Sequence, residues 1–358
     1  MTTTSLRHNE SRVEHPFARY VRLLGKGKTG SRNLSYDEAL DAMRMILRAE
    51  VMPEQLGAFM MLLRYQEESP EELAGFVTAS REMFTVPADM PAIDLDWSCY
   101  AGKARRLPWF VLTLLLLAQN GITVLAHGAG QHTAGRIYAE ETFQALGLPV
   151  AGDFSEAAAH IREYNLSYLP LRNFLPELAR IMDLKWILGL RSPVNTFTRL
   201  INPCRAECSM QGVHHPGYRD THQEASLLLQ QPRMAVIRGD GGETEWNPDL
   251  KNLVRSVRHG EALEEEWQPL FPRRHVKDKK LELGKLVRVW RGEERDEYGA
   301  GAIIGTAAIT LYTMGRADSH DAALEMAGQW WDERDRGRLG PMAVPTTHVS
   351  RQDGIRAN

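Results

Sequence analysis

The sequence predicts an α/β protein: a small N-terminal all-helical domain, then a larger α/β domain with a mainly parallel sheet flanked by helices. Three observations predict it. Residues 17–84 carry only the 3.6-residue period of amphipathic helices. PADMPAID, at 87–94, holds two prolines and reads as a linker. Beyond it, strand-length apolar runs alternate with helix-length ones, as in a parallel sheet covered by helices.

In chain order, residues 1–16 form a polar arm, and 17–86 the helical domain. Ser35 and Glu38 make a capping-box pattern ahead of Ala39, Leu40, Met43, Ile46 and Leu47, which share one face. Pro53 suits the first turn of the next helix, and Ser69-Pro70-Glu71-Glu72 repeats the start signal with acids that offset the dipole. Within 87–331, strands are expected at 92–95, 122–127, 166–169, 209–213, 234–238 and 286–290. Helices are expected at 109–120, 134–146, 155–164, 172–190, 216–231 and 297–314. The stretch 240–285, with EALEEEW and PRRHVKDKK, reads as loop-rich, and 332–358 as a polar tail.

Composition narrows the function. A formal charge of −3 gives no global attraction to nucleic acid or acidic lipid, so any polyanion must meet local clusters. The longest apolar run, VLTLLLLA, is too short to cross a bilayer, so no membrane partner is expected. The polar N-terminus lacks the apolar stretch of a signal peptide, and three cysteines suit a reducing cytoplasm. Cys204 and Cys208 have no second pair to complete a metal site, and His214-His215 lacks ligand companions.

Two strand–loop–helix junctions are candidate sites. The first, WSCYAGKARRLPW, offers Gly102, Lys103, Arg105 and Arg106 just beyond a strand, where open sheets bind ligands. A phosphate loop there usually relies on glycines that bare their amides; this one has a single glycine and three cations. The second runs from His127-Gly128 through Ala129, Gly130, Gln131 and His132 to Thr133. Read alone, it is either an anion cradle or an ordinary tight turn.

LGLRSPVNTFTRLINP, at 188–203, resembles the anthranilate phosphoribosyltransferase family and its nucleoside phosphorylase relatives. That family has LGxRTxFNxLGPLxNP, and Leu188, Gly189, Arg191, Asn195, Leu200, Asn202 and Pro203 keep the spacing. EVMPEQLGAFMMLLRYQEESPEELAGF, VLAHG, ETFQALGL and AAITLYTMG are also similar to family segments. The resemblance implies a helical domain that also takes in helices around 172–201, an active site in the cleft between domains, and a homodimer formed through the helices.

The departures fall on the family's chemistry. The GTGGD loop that holds phosphoribosyl pyrophosphate is replaced by SCYAGKARR, and the KHGN turn by Ala126-His127-Gly128-Ala129. Of the family's Asp-Glu magnesium pair, only Glu243 is expected to remain, a weak metal candidate with Gly242 in the aspartate's place. No resident cofactor is therefore expected, and a magnesium site would be incomplete. No catalytic residue is assigned.

A branch of the family that lacks GTGGD, carries an early GRGK-type turn and binds nucleic acid as a homodimer resembles the chain better. Here the turn is Gly25-Lys26-Gly27-Lys28-Thr29-Gly30. Lys26, Lys28 and Arg32 form one basic cluster, Lys103, Arg105 and Arg106 a second, and Lys185, Arg191 and Arg199 a third. Facing domains would bring all three to one cleft, able to bind nucleic acid without sequence preference. Trp97, Tyr100 and Trp109 are candidates for base stacking, worth roughly 1–3 kcal/mol each. The alternative is a phosphoribosyltransferase or phosphorylase with an altered phosphate or nucleotide substrate.

Overall fold

The computed structural model describes residues 13–130, 133–278 and 280–339. The helical domain comprises α1 (Ala18–Gly25), α2 (Tyr36–Leu47), α3 (Pro53–Gln66) and α4 (Pro70–Arg81). Both expected capping boxes form: Ser35 accepts from Glu38 N and Ser69 from Glu72 N, while each glutamate reaches back to the cap. Residues 13–16 of the expected arm lead into α1, where Glu14 pairs with Arg22 at 2.6 Å.

The α/β domain follows as β1 (Leu95–Cys99), α5 (Phe110–Gln119), β2 (Val124–Gly128), α6 (Ala139–Ala145), α7 (Phe154–Tyr164) and β3 (Leu166–Pro170). Next come α8 (Pro176–Asp183), α9 (Lys185–Leu188), α10 (Val194–Phe197), β4 (Cys208–Val213), α11 (Tyr218–Leu228) and β5 (Arg233–Arg238). The chain continues with β6 (Asn252–Arg258), β7 (Glu261–Trp267), α12 (Gly284–Arg291), α13 (Glu297–Thr313) and α14 (His320–Glu333). One seven-stranded sheet runs in the order β3-β2-β1-β4-β5-β6-β7. Strands β1 to β5 are parallel; β6 and β7 are antiparallel additions at one edge.

Side chains alternate across the sheet, as strand geometry requires. Leu95, Trp97, Val124, Ala126 and Leu166 pack on one face against α5, α13 and α14. Leu125 and Leu169 face the other way into a second core. That core is continuous with the helical domain and includes Leu178, Ile181, Val194 and Phe197, so the segment around 172–201 joins both domains. On the first face, α13 lies close enough to its neighbours that a Cβ on Gly305 would come within 2.1 Å of Trp246.

Several sequence expectations are corrected. The expected strand at 286–290 is helix α12, because Leu286, Val287, Val289 and Trp290 bury one helical face. The expected loop at 240–285 holds the β6–β7 hairpin; EALEEEW is an edge strand whose glutamates face solvent or pair with Arg255, Arg258 and Lys251. The first strand starts at Leu95, three residues later than expected, and the helix expected over 172–190 is two short ones. Helix α14 was not anticipated, and residues 332–339 of the expected tail are packed: Arg334 donates to the carbonyls of Val289, Trp290 and Trp331. The rest of that tail, the first twelve residues, Gln131, His132 and Lys279 lie outside the described residues.

Candidate functional site in the interdomain cleft

From β1 the chain winds outward one way through β2 and β3, and from β4 the other way through β5. The switch point lies between β1 and β4, where an open sheet leaves a crevice beyond its carboxyl ends. Three segments line it: the loop after β1, the turn after β4 and the stretch 239–247 after β5.

The loop after β1 is already occupied by carboxylates from within the chain. Ala101 N and Gly102 N donate to Glu243 Oε1 at 2.9 and 2.5 Å. Glu243 is buried, and its Oε2 has no partner among the described residues. Lys103 is fully buried, with Nζ 2.6 Å from Glu245 Oε1 and 3.6 Å from Asp240 Oδ2. Glu245 Oε2 accepts from Phe110 N, so it also satisfies a donor at the start of α5. Burial pushes the Glu245 carboxyl upward, against the pull of Lys103. Two glycines let the glutamate segment lie this close: a Cβ on Gly212 would meet the Glu243 carbonyl carbon at 2.4 Å, and one on Gly239 its oxygen at 1.5 Å.

The second basic residue of the loop is also committed. Arg106 donates to the carbonyls of His275 and Val276 and stacks its guanidinium 3.8 Å from the Tyr298 ring. Of the expected cluster, Arg105 alone is exposed. Trp97, Tyr100 and Trp109 are completely buried, which corrects the expectation that they could stack on bases. Tyr100 instead meets His127 Nδ1 at 2.7 Å, and His127 Nε2 lies 3.2 Å from Asp96. His127 is therefore part of the interior, and Gly128 is held against Cys99, whose oxygen a Cβ would approach to 2.0 Å.

The cations that remain available gather elsewhere. A cavity of about 130 Å³ opens between the helical domain and the ends of the strands, lined by Arg64, Arg136, Arg191, Arg199, His214 and His222 among others. Arg136 donates to the carbonyls of Ala101, Gly102 and Gly241. Arg199 donates to those of Asn195, Gly212 and Gly242; burial lowers its guanidinium to about 10, which leaves it charged near neutrality. Arg191 and Lys185 both donate to Thr133 Oγ1 at 3.0 Å, tying the third expected cluster to the turn after β2. Lys26 and Lys28 are exposed on the α1–α2 connection, while Arg32 forms a two-bond pair with Glu38. The three expected clusters thus do not converge: the cleft takes Arg191 and Arg199 from one of them and adds Arg64 and Arg136, which sequence reasoning missed.

Buried polar groups without partners complete the cavity. Ser192 Oγ, both amide atoms of Asn195 and His222 Nε2 make no hydrogen bond among the described residues, and all three residues line the space. Burial, then the charge of Arg199, lowers the His222 imidazole to about 3, so it is neutral. Its Nδ1 contacts Gln211 Oε1 at 2.7 Å. At the mouth, Arg64 donates to Tyr218 Oη and Tyr218 donates to Glu68 Oε2 at 3.0 Å. Burial raises the Glu68 carboxyl to about 7.

The comparisons with known proteins agree with this architecture. Residues 20–83 match the helical bundle domain of the glycosyl transferase family. An uncharacterized protein of Aquifex aeolicus is 27% identical over 317 residues, covering 86% of this chain and 95% of its own. Anthranilate phosphoribosyltransferase of Dictyoglomus thermophilum is 25% identical over 321 residues, covering 86% and 92%. Among solved structures, anthranilate phosphoribosyltransferase of Thermus thermophilus superposes with a TM-score of 0.73 at 22% identity, over 89% of this chain and 94% of that one. The enzyme of Saccharomyces cerevisiae in complex with PRPP and Mg does so with a TM-score of 0.70 at 14% identity, over 89% and 94%. The fold is therefore of the phosphoribosyltransferase type, a helical bundle beside a mainly parallel sheet. The helical domain carries the glycosyl transferase family's bundle, and the chain as a whole is similar to anthranilate phosphoribosyltransferases.

Two outcomes follow for stability. Lys103→Met strands Glu245 in the interior and is expected to cost about 3–5 kcal/mol in urea unfolding, as one-sided removal of a buried pair does. Adding Glu245→Gln should restore at least half of that loss; additive losses would show that the pair is not coupled. Glu68 holds a proton in the folded state that the unfolded chain releases, so its contribution fades as pH rises from about 4.5 through about 7. Glu68→Gln should leave stability unchanged at pH 4 and raise it by about 1–3 kcal/mol at pH 8. Equal pH slopes for the two proteins in thermal unfolding would refute this origin.

Proposed function

We propose that the protein is a homodimeric, phosphoribosyltransferase-fold binder of nucleic acid that does not recognise base sequence, with the interdomain cleft anchoring backbone phosphates. One observation carries the reading. The place that the family resemblance assigns to pyrophosphate is filled by the chain's own carboxylates, while the adjoining cleft holds four arginines whose hydrogen-bond acceptors are neutral. Arg136 and Arg199 rest on carbonyl oxygens, Arg64 on a tyrosine and Arg191 on a threonine. A guanidinium on a neutral acceptor keeps its charge available for a phosphate.

The residues do not fit a magnesium ion. Glu245 engages both oxygens with Lys103 and Phe110, and Glu243 gives one to the loop amides. The Lys103 ammonium beside them would repel a dication, and no cluster of three ligand side chains occurs among the described residues. Without that metal and without free loop amides, the leaving pyrophosphate of a phosphoribosyl transfer would lack its main stabilisation. Ordinary anthranilate phosphoribosyl transfer is therefore not the reaction we assign.

Dimerisation is placed on α9 and the segment that follows it. Trp186, Ile187 and Leu190 are 64, 80 and 56% exposed there, a patch of large apolar side chains beside α3. Its occupant in this reading is a second copy of the chain.

A second reading has its own support. Ser192, Asn195 and His222 offer unpartnered polar atoms to a small space, which suits a single phosphate-bearing molecule such as an altered transferase substrate.

Anisotropy with a fluorescent single-stranded 20-mer separates the readings. Four phosphate contacts predict a loss of about 50-fold in affinity between 50 and 200 mM salt. Replacing Arg64 and Arg191 with alanine should flatten that slope. No binding at 50 mM salt, or binding indifferent to salt, would reject the nucleic-acid reading. Ile187→Glu should give monomers in analytical ultracentrifugation; an unchanged mass would move the dimer elsewhere.

A further inference from the structure

A second and larger cavity, of about 590 Å³, lies where β5 ends and the chain enters β6. It is walled by Arg238 at the end of β5 and Asp240 just beyond it, by 246–253, by 274–277, by Arg219 at the start of α11 and by Arg105 and Arg106. It shares only His214 and Gly241 with the interdomain cleft.

Its charge is lopsided for a chain whose net charge is −3. Seven lysines and arginines line it against two carboxylates. Both carboxylates are already engaged: Asp249 Oδ1 meets His275 Nδ1 at 2.6 Å, Asp249 Oδ2 lies 3.8 Å from Arg106, and Asp240 faces Lys103. Among the described residues, Arg105, Arg238, Arg274 and Lys277 have no carboxylate within 4 Å, whereas Lys251 is paired with Glu266. Four unmatched cations from three separate segments converge on one space. A solvated helix face would instead present them along a single element.

The cavity also contains polar atoms that ask for a ligand. Asn252 and Tyr298 are 5 and 3% exposed, both line the space, and Asn252 Nδ2 and Tyr298 Oη have no partner among the described residues. Leaving such groups unsatisfied carries a desolvation penalty that a ligand would relieve. The wall that carries Arg274 and Lys277 is held in place. His275 is clamped between Asp249 and Glu297, at 2.6 and 2.9 Å, and both carboxylates raise its imidazole. Arg106 grips the carbonyls of His275 and Val276 from the other side.

We infer that this cavity is a binding site for a small molecule carrying two or more adjacent phosphate groups, separate from the interdomain cleft and independent of its function. Adjacent phosphates concentrate several negative charges within a few ångströms, which matches cations arranged around a half-enclosed space. The volume falls in the range of small-molecule sites. The shared chemistry of free polyphosphates and nucleic acid backbones is resolved by the test.

The probe is inorganic pyrophosphate, titrated calorimetrically into the full chain at 150 mM salt, with orthophosphate at matched ionic strength for comparison. Pyrophosphate is expected to bind at least tenfold more tightly than orthophosphate. Arg238→Ala and Arg274→Ala should each weaken it tenfold or more. Both side chains are exposed, so their loss leaves the core intact. Arg191→Ala, in the cleft, should change it less than threefold. No heat at millimolar pyrophosphate overturns the proposal. So does loss of binding through Arg191→Ala alone, which would place the anion in the cleft. If pyrophosphate gives no heat but the Arg238 and Arg274 variants lose affinity for the labelled 20-mer, the surface is a nucleic-acid contact and the small-molecule site is rejected.

Discussion

The buried pair of Lys103 and Glu245 ties together the loop after β1 and the segment after β5. Neither partner is accessible, and a buried ion pair is sustained only when the remaining donors and acceptors are met. Glu245 achieves this by accepting from Phe110 at the start of α5, where the helix dipole favours a carboxylate. Glu243 then accepts from the two amides just ahead of Lys103. The two glutamates occupy the donors that a phosphate would otherwise take. Everything else at the switch point is arranged around a loop that has satisfied itself internally.

That self-satisfaction shapes the field in the neighbouring cleft. Because the local carboxylates are turned towards Lys103 and the loop amides, the guanidinium groups of Arg136 and Arg199 meet carbonyls instead. Carbonyl dipoles orient an arginine without cancelling its charge. The same loop carbonyls that receive Arg136 belong to residues whose amides are held by Glu243. In the proposed reading, cation display beside the loop replaces anion capture by its backbone, and the geometry that would stabilise a leaving pyrophosphate is lost.

The helical domain and the parallel strands were legible because their signals are local: capping boxes at Ser35 and Ser69, and apolar runs bounded by glycine or proline. Misreadings arose where one pattern serves two structures. LVRVW satisfies a strand alternation, yet the same spacing buries one face of α12. EALEEEW looked like loop because an edge strand can be almost wholly charged when only its backbone is paired. At the site, residue type misled. A lysine and an arginine in a loop after a strand read as cations for a phosphate, but Lys103 finds its carboxylate 142 residues away, a pairing that no local window contains. The family resemblance marked Arg191 and Asn195 through matching spacing within one segment; Arg64 and Arg136 come from other segments and meet them only in the fold.

The unpartnered groups of the cleft limit what it can hold. Ser192, Asn195 and His222 are buried, and the fold tolerates three unmet polar side chains around one small space. Arginines alone would accept a bare phosphate. His222 asks for something more: neutral at physiological pH, with Nδ1 against an amide oxygen, it presents Nε2 as an acceptor. An acceptor among cations is a poor partner for phosphate oxygens and a good one for a hydroxyl or amino donor. Asn195 can serve either side of such a molecule. In the proposed reading the cleft takes a phosphate joined to a group that donates hydrogen bonds, as a sugar or a base does, a requirement met equally by one nucleotide within a strand and by a free one.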